Sequence, residues 1–385
     1  MRKERKIWLS NQEYDRIKYR RVSGRYLHND QLEDFISKHS SQLNFQTIGT
    51  SVEQKNIYGL QIGNGKKRVL IWSQMHGNES TTTKAVLDFL HSVAMEGNSS
   101  DDSSVLDHLT LYIIPILNPD GAAYYTRVNA NGIDLNRDMQ DLSQPESRVL
   151  MDIYREFKPD YCLNLHDQRT IFSAGQSSRP AILSFLTPSS DSNRTITDAR
   201  KKSMALIAGM VQDLEDELGD GIGRYDDGFN INCAGDTFQA LQTPTILFEA
   251  GHYPGDYRRD VTRKYVYKAL RSCLFHIAAE SSHYHQDYFK IPENAKLLRD
   301  IILKNVDIGG VQKNVLIQFK EILDIMEIRF VPVIEKITQN ANFYGHHEID
   351  AEGRKIELLN GAPISENVIV NKIILNDEII ELNPQ

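Results

Sequence analysis

Four short, continuously apolar runs constrain this chain more than any other feature. They are "VLIWSQM" (69–75), "LTLYIIPILN" (109–118), "YCLNLH" (161–166) and "TPTILFEAG" (243–251). Runs of this length without polar alternation suit central strands covered on both faces. Helical patterns separate them. Val86, Leu90, Val93 and Ala94 recur at helical spacing after "NESTTTK", and "PESRVLMDIYREFKP" (145–159) is opened and closed by proline. Segments 199–219 and 258–280 also read as helices. Strands alternating with helices predict an α/β fold: a twisted, largely parallel or mixed sheet with helices on both faces.

Beyond about residue 288 the texture changes. "NVLIQFKEIL", "MEIRFVPVIEKI", "RKIELLN" and "NVIVNKIIL" are β-branched, partly alternating and separated by turn residues. The expected organisation is therefore a domain over 1–288 and a small β-rich module over 289–385. "MEGNSSDDSSVLD" (95–107) reads as a surface loop.

A formal charge of −8 and a pI near 5.9 exclude a general nucleic-acid binder, which needs a basic face. The basic clusters "MRKERK" (1–6) and "YRRD" (257–260) read as solvated surface. Cys162, Cys233 and Cys273 are odd in number and widely spaced, which suits a reducing compartment; Cys162, inside "YCLNL", reads as a small buried hydrophobe. The charged N-terminal stretch lacks the apolar core of a signal peptide, and no run reaches about 18 apolar residues. A cytoplasmic protein without a membrane span is expected, its oligomeric state left open.

In an open α/β sheet, chemistry gathers at the carboxyl ends of the strands. Here the four runs end in His76 and Glu79, in Asn118-Pro119-Asp120-Gly121, in His166-Asp167 and in Glu249. A His-x-x-Glu spacing alone is weak, since 12 histidines give about one by chance. The conjunction at strand ends is stronger: two histidines and a glutamate are the ligand set of a catalytic zinc that keeps one position for water. The remaining strand-end carboxylate, Glu249, is then free to act as general base. The stretch "NPDGAAYYTRVNANGIDLNRD" (118–138) supplies Arg127, Asp134, Asn136 and Arg137. Arginine forks with an asparagine amide make a receptor for a carboxylate.

With "HGNE", "NPDG", "TRVNANGIDLNR", the lone "LH" at 165–166 and "FEAG" at 248–251 all in order, the chain resembles the zinc carboxypeptidases of the M14 (funnelin) family over roughly residues 30–280. The resemblance implies a mixed, mostly eight-stranded twisted sheet between helices. It makes His76, Glu79 and His166 the ligands of one Zn2+ per chain, Glu249 the general base and Arg127 the partner of the developing oxyanion. Asn136 and Arg137 become the clamp on the substrate's terminal carboxylate, Asp134 the carboxylate behind the first ligand histidine, and Tyr225 the candidate for the family's mobile tyrosine. Asp138 stands where many members carry asparagine and would set a carboxylate beside the clamp, a charge that Arg169 could offset.

The activity so implied is zinc-dependent hydrolysis of the C-terminal amide bond of a peptide. The alternative is a deacylase of small N-acyl amino acids like the aspartoacylase and succinylglutamate desuccinylase group, whose members add a C-terminal β domain; an inactive peptide-binding paralogue is the third reading. Two further histidine groups compete for metal. "SSHYHQDYF", with His283 and His285, reads as a solvated linker, and "YGHHEID", with His346, His347 and Glu348, as a β-turn.

Overall fold

The computed structural model describes residues 9–95, 101–281, 283–340, 342–359, 361–375 and 377–384. The basic run at 1–6 lies outside them, as do residues 96–100 of the expected surface loop.

Helices α1 (Asn11–Ile17) and α2 (Asn29–Lys38) precede strands β1 (Gln46–Thr50), β2 (Asn56–Ile62) and β3 (Lys67–Ser73). Then come α3 (Thr81–Ala94), the short α4 (Asp101–Ser104), β4 (Leu109–Ile114), α5 (Pro119–Tyr124), α6 (Pro145–Phe157) and β5 (Tyr161–Asp167). They are followed by β6 (Ser173–Ala174), β7 (Leu183–Leu186), α7 (Asp198–Leu218), β8 (Ile222–Arg224), α8 (Ala234–Ala240), β9 (Thr245–Ala250) and α9 (Asp260–Ala279). Eight strands form one mixed sheet in the order β1-β2-β4-β3-β5-β9-β7-β8, as expected.

The four apolar runs are its parallel centre, β4-β3-β5-β9. Val69 and Ile71 of β3 pack with α3, α7 and α9 on one face, while Leu70 and Trp72 pack with α6 and α8 on the other. Both faces are dry, which is why these strands show no polar alternation. The flanking strands β1, β2, β7 and β8 are additions to the sequence expectation. β1 is half-exposed and β8 has three residues, so neither carries a strong apolar signal.

Past α9 the chain is almost entirely β. Strands β10 (Asn294–Ala295), β11 (Leu298–Ile308), β12 (Val311–Asp324), β13 (Glu327–Thr338) and β14 (Tyr344–Asp350) are followed by β15 (Glu357–Leu358), β16 (Lys372–Leu375) and β17 (Glu378–Glu381). A four-stranded sheet runs β13-β12-β11-β14, a three-stranded one β15-β16-β17, and β10 pairs back onto β6. Ile301, Leu303, Val315, Ile317, Ile334 and Ile373 form a separate core, into which Tyr257 inserts from the loop before α9 and donates its hydroxyl to Asp300 (3.0 Å).

Several local readings are corrected. "NPDG" opens α5: Asn118 Oδ1 accepts from Gly121 N (2.8 Å) and so caps it. Residues 101–107 are helical rather than loop, and Asp102 is buried against Arg271 and Tyr267. In "YRRD" Tyr257 and Arg259 are buried, not solvated. "YGHHEID" is strand β14, where His346 Nε2 lies 2.8 Å from Thr170 O and its ring packs on His252. His283 packs on His276, and His285 opens a 3-10 turn. Cys162 is buried as expected. No helix among the described residues is long and apolar enough to cross a membrane.

One buried ion pair ties the N-terminal segment to the helical layer. Arg263 of α9 donates to both carboxylate oxygens of Asp88 in α3, and neither side chain has exposed surface. Tyr14 Oη (2.7 Å) and Tyr19 N (2.7 Å) also donate to Asp88, while Arg263 donates to Val22 O and Tyr19 O. Removing one member strands a buried charge. Asp88→Ala should therefore lower stability by about 3–5 kcal/mol, read from chemical denaturation.

The junction between the two β layers should weaken in acid. His252 is buried, neither ring nitrogen has a hydrogen-bond partner among the described residues, and its ring packs at a tilt on His346 (centroids 4.3 Å apart). Burial holds both imidazoles below the usual histidine range. The fold keeps them neutral, whereas the unfolded chain protonates them near about pH 6.5. Their contribution is therefore complete above that pH and declines as pH falls. The denaturation midpoint should drop between pH 7.5 and 5.5, and His252→Phe should flatten that slope.

Candidate metal centre and substrate cleft

Parallel pairing of β3 with β5, and of β5 with β9, aligns the carboxyl ends of three central strands. His76 and Glu79 follow β3 in a tight loop that ends at α3, where Glu79 N donates to His76 O (3.1 Å). His166 lies within β5 directly opposite Glu249 in β9. The loop is held by backbone proximity. A Cβ on Gly77 would lie 1.9 Å from the Gly121 carbonyl carbon, so "HGNE" and "NPDG" interlock through their glycines.

His76 Nδ1, a Glu79 carboxylate oxygen and His166 Nδ1 converge, with candidate ligand atoms all within 4.8 Å of one another. Glu79 Oε1 is 2.9 Å from His76 Nδ1, and Glu79 Oε2 is 2.8 Å from His166 Nδ1. The two Nδ1 atoms face each other at 3.1 Å. His76 Nε2 lies 3.0 Å from Asp134 Oδ1 and donates there, which leaves the Nδ1 lone pair aimed at the carboxylate and at the second imidazole. Lone pairs converging in this way fit a cation. Two nitrogens at a typical Zn–N length in tetrahedral geometry sit about 3.3 Å apart, close to the spacing here. Burial opposes charge on Glu79, but His76 and His166 outweigh it and hold the carboxyl well below its usual range.

A polar frame orients these groups. Asp134 also accepts from Arg127 Nε (3.0 Å) and from Asn136 N (2.9 Å). Asp167 Oδ2 accepts from Thr81 N (2.9 Å), and Oδ1 from Thr82 N, so the residue after His166 caps α3. Arg259 donates to Ala250 O (2.6 Å) and to Gln168 O, tying the ends of β9 and β5 together. The role of Arg259 was hidden in the sequence because a basic pair looks like surface until the chain folds over it.

His76, Glu79, His166 and Asp167 face a cavity of about 890 Å³ that also takes in Arg127, Asn136, Arg137, Arg169, Tyr225 and Glu249. Arg127 Nη1 lies 3.3 Å from Glu79 Oε1. Asn136 Oδ1 accepts from Ala234 N at the start of α8 (2.9 Å), which leaves its amide N–H groups as donors. Arg137 donates to Asn136 O and lies 3.1 Å from Cys233 Sγ. Glu249 Oε2 is buried without a hydrogen-bond partner among the described residues. Burial, then the charges of Glu79 and Asp167, push the Glu249 carboxyl well above its usual range. Tyr225 packs on Phe172 (5.1 Å), and burial followed by the Glu249 charge raises its phenol.

Asp138 departs from expectation. It is buried and turned from the cleft, accepting from Ser143 N (3.0 Å), Ser143 Oγ (2.6 Å) and Gln144 N (2.9 Å) ahead of α6. It sets no free carboxylate beside the clamp. The C-terminal sheet also reaches the cleft through Gln318, Phe319, Lys320 and Glu321 of β12, a contribution that nothing local in those strands signals.

The purified protein should bind one zinc per chain, counted by elemental analysis, and His76→Ala or His166→Ala should abolish binding. Asp134→Ala should weaken zinc affinity about 10–100-fold in a chelator competition.

Residues 28–208 match the family model described as zinc carboxypeptidase. Among curated proteins, 115 residues are 29% identical to the probable carboxypeptidase 2 of Arthroderma benhamiae, covering 30% of this chain and 21% of that protein. Over 141 residues the chain is 30% identical to carboxypeptidase D of Drosophila melanogaster, covering 30% of this chain and 10% of the other. The matched part thus spans about a fifth or less of these relatives' length. The fold is similar to a metallo-carboxypeptidase from Burkholderia cenocepacia (TM-score 0.54, 17% identity, 66% of this chain and 70% of that one). It is likewise similar to thrombin activatable fibrinolysis inhibitor (TM-score 0.54, 17% identity, 71% and 77%).

Proposed function

Because residues 28–208 carry the zinc carboxypeptidase pattern, we propose that this chain is a zinc-dependent metallocarboxypeptidase that hydrolyses the C-terminal amide bond of a peptide. The observation that carries the reading is the convergence of His76, Glu79 and His166 beside an unpartnered, buried Glu249 oxygen. A zinc ion held by those three side chains would supply Lewis acidity and a water of lowered pKa.

The remaining steps belong to the chain's own groups. Arg137 and the Asn136 amide bind the substrate's terminal carboxylate, which decides which amide reaches the reacting centre. Glu249 takes the proton of the attacking water on its free oxygen and returns it to the leaving amine. Its buried setting and the nearby Glu79 and Asp167 carboxylates raise its proton affinity, which suits a group that must hold a proton between two steps. The Arg127 guanidinium, kept in place by Asp134, stabilises charge that develops on the carbonyl oxygen. Tyr225 forms part of the wall against which the substrate's end lies.

A second reading, hydrolysis of small N-acyl amino acids, is favoured by one observation. The C-terminal sheet contributes Gln318, Phe319, Lys320 and Glu321 to the cavity wall, as a domain that limits entry to small substrates would. The same zinc, base and clamp would serve both substrates.

The test is mass spectrometry of a mixed pool of peptides and N-acyl amino acids incubated with zinc-loaded protein. Loss of single C-terminal residues is expected, with Glu249→Gln slower by about 10²–10⁴-fold at unchanged zinc content. Intact peptides alongside cleaved acyl amino acids would establish the second reading instead. An unchanged pool would remove the catalytic claim.

A further inference from the structure

Charges on the cleft wall are unevenly satisfied. Glu321 is paired with Arg25 (2.9 Å) and also accepts from Tyr125 Oη. Glu335 is paired with Arg299, and Asp226 lies 3.4 Å from Arg194. Burial pushes the Asp236 carboxyl up to about 6. Among the described residues the lining cations Arg169, Lys296 and Lys320 have no ion-pair partner. Glu321, Glu335 and Asp226 thus have cationic partners, while among the described residues Arg169, Lys296 and Lys320, like Arg137 beside Asn136, are exposed without one.

These cations share one region. Arg169 immediately precedes Thr170, whose hydroxyl accepts from Gln318 Nε2 (2.6 Å), two residues before Lys320. Lys296 adjoins β10, which pairs with β6, and Leu298 N donates to Ile171 O (3.1 Å). The C-terminal sheet thus lies along segment 168–174, directly after His166. The Arg25–Glu321 pair, with the Arg25 side chain 6% exposed, fixes the same sheet to the N-terminal part of the main domain. The wall is built, with β12 anchored on both sides of Lys320.

We infer that this wall, formed by Arg169, Lys296 and Lys320, selects peptides with an acidic side chain just upstream of the scissile bond. The inference rests on the carboxypeptidase reading. With the terminal carboxylate on Asn136 and Arg137, upstream residues must leave along the lining that those two do not occupy, and the C-terminal sheet supplies much of that lining. Unpaired cations there attract a carboxylate and disfavour an ammonium group. The cost of a mismatch is shared among exposed charges, so selection is graded and sensitive to salt.

The experiment uses the full, zinc-loaded chain and peptides with one common C-terminal residue, carrying Glu, Ala or Lys at each of the two positions before the scissile bond. The expected result is a kcat/KM about tenfold or more higher for Glu than for Lys, seen mainly in KM and reduced by added salt. Lys320→Glu combined with Lys296→Glu should reverse the order, and Lys320→Gln should weaken it, both with zinc content unchanged. Cleavage of all peptides at similar kcat/KM, or a preference that the double variant leaves intact, overturns the inference and keeps the peptidase reading. Failure to cleave any peptide overturns that reading and the inference with it.

Discussion

The parallel pairing of β5 with β9, which sets His166 opposite Glu249, is the constraint on which the rest of the site depends. Adjacent strands lie about 4.8 Å apart, so two side chains at one register position meet without help from a loop. That register is stable because both faces of the ladder are buried. Leu163 and Leu165 pack beneath α3 and α9, while Cys162 faces α6 and α8. A one-residue slip would exchange those faces and move His166 away from Glu79.

Around this ladder, carboxylates and one guanidinium do the fine positioning. Asp134 holds His76 and Arg127 at once, so the orientation of an imidazole and of a guanidinium at the cleft is set by a single side chain. Asp167 links His166 to the first turn of α3, and Arg259 binds the carbonyls that follow Glu249 and Asp167. None of these three belongs to the converging triad, yet each limits how far a member of the site can move. Such rigidity matters because the converging side chains and Glu249 come from two strands and a loop, with no local segment to tie them together.

The C-terminal sheet is coupled to the main sheet by polar contacts more than by a shared core. Tyr257, Asp300, Gln318 and Thr170 form one buried network, and the rings of His252 and His346 pack on each other at a tilt. A polar junction of this kind depends on pH and on each partner being present, unlike an apolar one. It also carries β12 to the edge of the cleft, where the sheet becomes part of the substrate wall.

The sequence by itself determined the α/β class, the four central strands and the main helices, and it singled out His76, Glu79, His166 and Glu249 as strand-end groups, which the fold brings together. Continuous apolar runs and strand-end polar residues are local signals, and buried parallel strands display them strongly. The flanking strands β1, β2, β7 and β8 were not legible, since short or half-exposed segments carry little periodic signal. Only the tertiary structure decided that Asp138 turns inward ahead of α6, that Arg259 is buried, that His346 packs against His252 and that Lys320 reaches the cleft. Each of those outcomes depends on a partner at least several residues away and often on another sheet, and a pattern read along the chain holds no record of which distant group will arrive.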